Sequence, residues 1–126
     1  VAQLLRDEGL GNILINTGEL RALGGQPDGG AWPVSIAGAG KVALADRALA
    51  TSSPLGTVFD AEGRVGHILH PATGRPAKAL WRGVSISADS AALADALSTA
   101  ACLMDSKAAM QQALTAFPEA RLEAVT

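Results

Sequence analysis

The chain has 126 residues, 48% of them hydrophobic and 17% charged, with a formal net charge of -2; this is enough for one domain with a real core and is not the composition of a disordered segment. Lysines and arginines are scattered and aromatic residues make up 3%, so there is no basic stripe to track a phosphate backbone and no aromatic cluster to stack bases, which sets nucleic acid aside as a partner. No apolar run approaches the roughly 20 residues needed to span a bilayer, and no charged-then-apolar leader opens the sequence.

With two Phe, two Trp and no Tyr, the core has to be built from Ala, Leu, Val and Ile, with small side chains and close backbone approaches. Cys102 is the only cysteine, so an internal disulfide is excluded, and its setting in "STAACLM" is that of a small buried hydrophobe rather than a nucleophile.

In chain order, "VAQLLRDEGLGN" opens without Met in an amphipathic helical pattern, the expectation for the later part of something longer. That helix should stop at Gly9 or Gly11, where glycine takes the left-handed conformation. "NILIN", residues 12–16, predicts a short buried strand. "GGQPDGG" is turn chemistry, and "WPVSIAG" returns as a strand whose Pro33 favours an edge or a strand start. "KVALADRALATSS" has the alanine content of either helix or strand, but the alternation of Val42, Leu44 and Asp46 favours two strands joined near Asp46. "TVFDAEGRVGHIL" predicts a hairpin around residues 60–63, with the His-containing stretch as its second strand and exit loop. "GVSISA" alternates as a half-buried strand. "DSAALADALSTAACLM" predicts a helix capped by Asp89 or Ser90, with an apolar face through Leu93, Leu97, Ala101 and Met104. "SKAAMQQALTAF" is a second helix ending before Pro118, and "ARLEAVT" closes as a strand. The pattern is one α+β domain over residues 1–126, a mainly antiparallel sheet with helices packed on one side.

Three stretches could carry chemistry. Asp95 and Thr99 lie four apart on one helix, so carboxylate and hydroxyl project from one face; these hard oxygens suit Mg²⁺, and the alternative is a solvated Asp beside a Thr bonded back to the preceding turn. His67 and His70 lie three apart, on opposite faces of a strand, and Pro71 blocks a helix, which argues against a shared zinc. A single strand-end His beside a Gly-rich loop can serve as acid, base or phosphate donor, or be an ordinary surface histidine. Thr51, Ser52 and Ser53 can hydrogen-bond a phosphate, or simply make a turn.

The order of these elements carries more than any one of them. "INTGELRALG", "WPVSIAG", "LATSSP", "GHILHPATGRP", "VSISADSAALADALSTA" and "ARLEAVT" resemble, in order and spacing, the C-terminal half of the ApbE family, flavin transferases also described as thiamine-biosynthesis lipoproteins. The resemblance covers practically the whole chain and implies an ApbE-like, T-fold-like C-terminal part.

It further implies that FAD is cleaved at its pyrophosphate with Mg²⁺, FMN is moved to a threonine of an acceptor flavoprotein, and AMP is released. In these terms Asp95 and Thr99 match the family's metal-binding pair and His67 its catalytic-centre histidine. Thr51 and Ser52 match the start of its "TSG" loop, and Thr73 with Gly74 the "TG" turn near the flavin, so the cofactor-binding set is Thr51, Ser52, His67, Thr73 and Gly74. The family is commonly exported and lipid-anchored, which implies a periplasmic or membrane-anchored setting.

There are departures. The family's "NLGGD" is "NTGEL" here, with Glu19 and Leu20 in place of Gly and Asp. Ser53 replaces the glycine of "TSG", and His70 replaces the Asp of "HILDP". Nothing matches the family's first half, which supplies adenine contacts and a further metal ligand, so a missing N-terminal half is an expected partner. The alternative reading is a non-catalytic flavin-binding or partner-binding ApbE-like domain.

Overall fold

The computed structural model describes residues 1–126. The opening helix α1 (Ala2–Asp7) ends where glycine was expected to end it: Gly9 stands at φ 80° and its N–H donates to the Arg6 carbonyl at 2.9 Å. Two strands follow, β1 (Ile13–Asn16) and β2 (Leu20–Leu23), paired antiparallel from Ile13 with Leu23 to Asn16 with Leu20. The sequence pattern named no strand at β2, although it lies inside "INTGELRALG". β1 is half-buried rather than buried, because it is an edge strand covered on one side only.

β3 (Trp32–Ile36) and β4 (Gly40–Leu44) form a separate two-stranded antiparallel sheet. Pro33 therefore sits on an edge, where its missing N–H costs no ladder bond. The chain then turns at Asp46, the only non-glycine residue with positive φ, at 52°. Its Oδ1 accepts from the Gly24 N–H at 2.8 Å, which fastens the corner to the end of β2. The expected turn is there, but the strands it joins do not pair: β5 (Ala48–Ser52) enters the other sheet.

That sheet has the order β1-β2-β5-β6-β7 and is antiparallel throughout, with β6 (Val84–Ala88) between β5 and β7 (Arg121–Val125). The helices α2 (Ala91–Ala101) and α3 (Lys107–Leu114) pack on one of its faces. The molecule is thus the α+β arrangement expected.

Side chains alternate across the sheet, and this separates two cores. On the helix face, Val84 and Ile86 meet Ala101, Cys102, Met110 and Ile68. On the other face, Ala22 and Leu49 meet Val34, Ile36 and Leu44 of the small sheet. Ala48, Ala50, Ala88 and Ala94 form a third cluster; with only methyl groups between them, α2 can lie close against β5 and β6. Because both faces of β6 are covered, all five of its residues are buried, not half-buried as the alternation suggested. Ser85 and Ser87 are tolerated there because each has a partner: Thr51 Oγ1 at 2.7 Å for Ser85, Arg47 Nη2 at 3.1 Å for Ser87.

The expected hairpin over residues 57–69 forms only in minimal shape, without regular strands: Phe59 N–H donates to the Val65 carbonyl at 2.8 Å and His67 N–H to the Thr57 carbonyl at 3.1 Å on either side of the single bridge Val58 with Gly66. A second isolated bridge joins Leu69 with Pro76. Of the apolar side chains in this stretch only Ile68 reaches the helix-face core; Phe59, Val65 and Leu69 remain exposed, and His67 is delivered by a loop-like segment rather than by a regular strand.

Candidate active site

The end of β5, the C-terminal half of α2 and the irregular segment after Ser52 converge at one end of the sheet. Strand parity decides which side chains meet. Ser52 shares the face of Ala48 and Ala50 and points at α2, whereas Thr51 shares the face of Leu49 and bonds Ser85 on the opposite side. Thr51 and Ser52 are neighbours in sequence and do not serve one surface.

On α2, Ser90 caps the start by accepting from the Leu93 N–H at 3.1 Å. One and a half turns later Asp95 stands exposed. It takes no part in the chain's single ion pair, which is Arg47 with Asp89 at 3.2 Å. Thr99, one turn further on, is half-buried, and its Oγ1 lies 2.9 Å from Ser52 Oγ. It is thus bonded to β5 and not back to its own preceding turn, as the alternative had it.

Sequence reasoning passed over Ser98. It is fully buried, 2.7 Å from Ser52 Oγ, and donates to the Asp95 carbonyl at 3.0 Å. A signal was present: a serine on the stripe that also buries Ala94 and Ala101 has to find a polar partner.

His67 is exposed. Its backbone N–H donates to the Thr57 carbonyl at 3.1 Å, and its ring Nδ1 lies 3.2 Å from the same oxygen. A carbonyl only accepts, so Nδ1 carries a proton toward it, and Nε2 is the nitrogen whose lone pair a neutral ring would offer. That is the form of a base. The ring edge comes within 3.9 Å of where a Cβ on Gly56 would stand. Gly56 itself closes a turn onto the Ser53 carbonyl at 3.0 Å, which places His67 against the exit of β5.

His70, Thr73 and Gly74 form a turn of their own. The His70 carbonyl accepts from Thr73 N–H at 3.1 Å and Gly74 N–H at 2.8 Å, and Gly74 takes φ 63°. His70 Nδ1 accepts from the Ala72 N–H at 3.3 Å, the local bond an Asp makes in an Asx turn. Thr73 Oγ1 accepts from Arg75 N–H at 3.3 Å. His70 and Thr73, with Arg75, Lys78, Cys102 and Asp105, line a cleft of about 330 Å³. Cys102 lies at its inner side, and burial pushes its thiol from 9.0 up to about 11. It is a packed thiol, as the sequence suggested, and not a nucleophile at neutral pH.

No group of three or more His, Cys, Asp or Glu is gathered as a metal cluster. The donor set on α2 nevertheless fits a hard divalent ion: Asp95 has an uncommitted carboxylate, and Thr99 has a hydroxyl held on the same helix face. Mg²⁺ usually takes few protein ligands and completes its shell with water and substrate phosphate.

The family model described as the ApbE family matches residues 1–125. The chain belongs to the ApbE family. Among solved structures, the ApbE protein from Thermotoga maritima is 29% identical with a TM-score of 0.72, the match covering 90% of this chain and 41% of that one. The flavinyl transferase ApbE of Pseudomonas stutzeri, in its apo form, is 31% identical with a TM-score of 0.65 over 81% of this chain and 32% of that one. The flavin transferase ApbE from Vibrio cholerae is 26% identical with a TM-score of 0.67 over 93% of this chain and 40% of that one. The chain thus spans about two fifths or less of the length of these ApbE structures. No curated protein matches it.

Proposed function

We propose that this chain carries the metal and phosphate side of an FAD:protein FMN transferase dependent on Mg²⁺. The observation that supports this most is the meeting of Ser52 with Thr99, one helical turn from the uncommitted carboxylate of Asp95. Asp95 and Thr99 would hold the ion. When bound, Mg²⁺ supplies neutralisation of the pyrophosphate and of the charge that collects on departing AMP.

In the transfer, the acceptor threonine oxygen bonds to the FMN phosphorus and the bond from that phosphorus to the AMP oxygen breaks. His67 takes the threonine proton at Nε2, its Nδ1–H being held on the Thr57 carbonyl, and the general-base step needs that tautomer. Ser52, with the turn of Thr73 and Gly74, would line the approach of the flavin phosphate, whereas Thr51, which the resemblance also named, faces the other side of the sheet and is bonded to Ser85.

FAD, an acceptor flavoprotein with a target threonine, and a family-type N-terminal half that completes the adenine pocket are the partners in this reading. Consistent with the last, the chain spans only part of its relatives, and by itself it should bind FAD poorly, without submicromolar affinity in a flavin-fluorescence titration. An exported, lipid-anchored setting belongs to the proposal on family resemblance alone; no helix is long and apolar enough to cross a membrane.

The test is to incubate the complete gene product with FAD, Mg²⁺ and a threonine-bearing acceptor. AMP release together with a covalently fluorescent acceptor is expected. Flavin binding with neither product would favour a non-catalytic binding domain, the reading motivated by Ser53 and by His70, which keeps the turn but not the family's carboxylate.

A further inference from the structure

Three hydroxyls and one carbonyl form a chain whose direction is fixed by proton counting. Ser98 Oγ lies 3.0 Å from the Asp95 carbonyl oxygen, Ser52 Oγ lies 2.7 Å from Ser98 Oγ, and Thr99 Oγ1 lies 2.9 Å from Ser52 Oγ. Each hydroxyl has one proton to give and two lone pairs. The carbonyl can only accept, so the Ser98 proton points to Asp95. Ser98 then meets Ser52 as an acceptor, and Ser52 spends its proton there. Ser52 in turn meets Thr99 as an acceptor, so the Thr99 proton points inward to β5.

Thr99 Oγ1 is left presenting lone pairs, and no proton, away from Ser52. A helical threonine commonly gives its proton to the carbonyl of the preceding turn. Here Ser98 holds the Asp95 carbonyl instead, which frees Thr99 to bond across to the strand.

We propose that Ser98 is a positioning residue: acting through Ser52, it fixes Thr99 Oγ1 as an oxygen that only accepts on its outer side, ready for a divalent cation shared with Asp95. This rests on the cation site proposed above. A cation is attracted to lone pairs and repelled by a hydroxyl proton, so a hydroxyl whose proton is already committed inward needs no rotation to ligate. Without Ser98, the Ser52 proton is released and can turn to Thr99, which reverses the bond and sends the Thr99 proton outward.

Two measurements test this. Neutron diffraction from the deuterated chain should place the Thr99 deuteron on the line to Ser52 and the Ser52 deuteron on the line to Ser98; the reverse order overturns the proposal whether or not a metal binds. Mn²⁺, read by electron paramagnetic resonance, should bind the complete gene product carrying Ser98→Ala about 10- to 100-fold more weakly than the unsubstituted one, the usual loss for a partner of a ligating group. In a Ser52→Ala background the same change should add nothing, and a full further loss would show that Ser98 does not act through Ser52. Thermal melts identify a folding defect, and Ser98→Cys, which keeps the volume with a weaker donor, should give the same loss should the alanine variant fail to fold. Mn²⁺ binding lost with Asp95→Ala but kept with Ser98→Ala removes the positioning role alone. Absence of Mn²⁺ binding by the unsubstituted complete gene product, or binding indifferent to Asp95→Ala, removes the cation site itself.

Discussion

The unit of β5, β6 and α2 and the segment of residues 53–83 supply the two halves of the candidate site by opposite means. In the first, β5 and β6 pair over five successive residues, alanines let α2 sit close, and the hydroxyls that face inward are partnered. In the second, the only strand-like pairing is two isolated bridges, and six of the nine exposed large hydrophobic residues, from Leu55 to Leu80, are found there. The oxygens proposed to meet a cation thus stand on a framework whose geometry is set by packing, while the imidazole proposed to move a proton stands on a loop shaped by local bonds. Two of the departures from the family's motifs, Ser53 and His70, lie in the loop, where His70 Nδ1 holds the Ala72 N–H as a carboxylate would; the other two, Glu19 and Leu20, lie just before and at the start of β2.

The largest expected break in this comparison comes from the loop. His67→Ala should lower FMN transfer by about 10²–10⁴-fold, the range for losing an acid or base, whereas His70→Asp should keep or raise it; the assay is transfer at saturating FAD and Mg²⁺ in the complete gene product. Equal losses from both would give His70 a role of its own, and no loss from His67→Ala would favour the non-catalytic reading.

Next comes Cys102, which packs where the framework meets the loop. Burial raises its pKa from 9.0 to about 11, so the unfolded chain ionises first and the fold is the state that keeps the proton. The stability tied to this thiol is complete below pH 9 and is lost as pH rises toward about 11, by roughly 2–3 kcal/mol. Urea unfolding across that window should lose the corresponding slope in Cys102→Ala; an unchanged slope would mean that the thiol is not desolvated.

Gly66→Ala sharpens the comparison further. A Cβ there would run into the Pro54 carbonyl, and overpacking of this kind costs about 1–3 kcal/mol. Hydrogen exchange should show lost protection at Phe59 and His67 N–H, which bond across this loop, with the β5 and β6 amides unchanged. Uniform loss would erase the distinction between the two regions. The smallest effect is expected from Ser90→Ala, which removes the α2 cap at a cost of about 1 kcal/mol and should leave the Mg²⁺ dependence of transfer alone, because the cap stands at the opposite end of the helix from Thr99.

Much of the fold was legible because its signals are local. Gly9 ends α1, Ser90 and Ser106 cap α2 and α3, and the alternation of Val42, Leu44 and Asp46 marked two strands and a corner. What could not be read was which layer covers which strand. The run from Thr57 to Leu69 has β-forming residues but only Ile68 among them is packed into a core, and "GVSISA" alternates like a half-exposed strand although Thr51 and Arg47 reach across to partner its serines. At the site, spacing alone put Asp95 and Thr99 on one helix face. The partnership of Thr99 with Ser52 joins residues 47 apart, and the part played by Ser98 depends on which hydroxyl gives its proton to which, a property of three dimensions that no spacing encodes.

Whether α2 supplies the metal oxygens is decided by Asp95→Ala. Asp95 is exposed and contributes nothing to the core, so the variant should keep its circular dichroism spectrum and melting temperature. AMP release from FAD by the complete gene product, followed as Mg²⁺ is raised, should lose its Mg²⁺ dependence and fall to background in Asp95→Ala. A curve that superimposes on that of the unsubstituted protein would contradict the account and remove Asp95 from the mechanism.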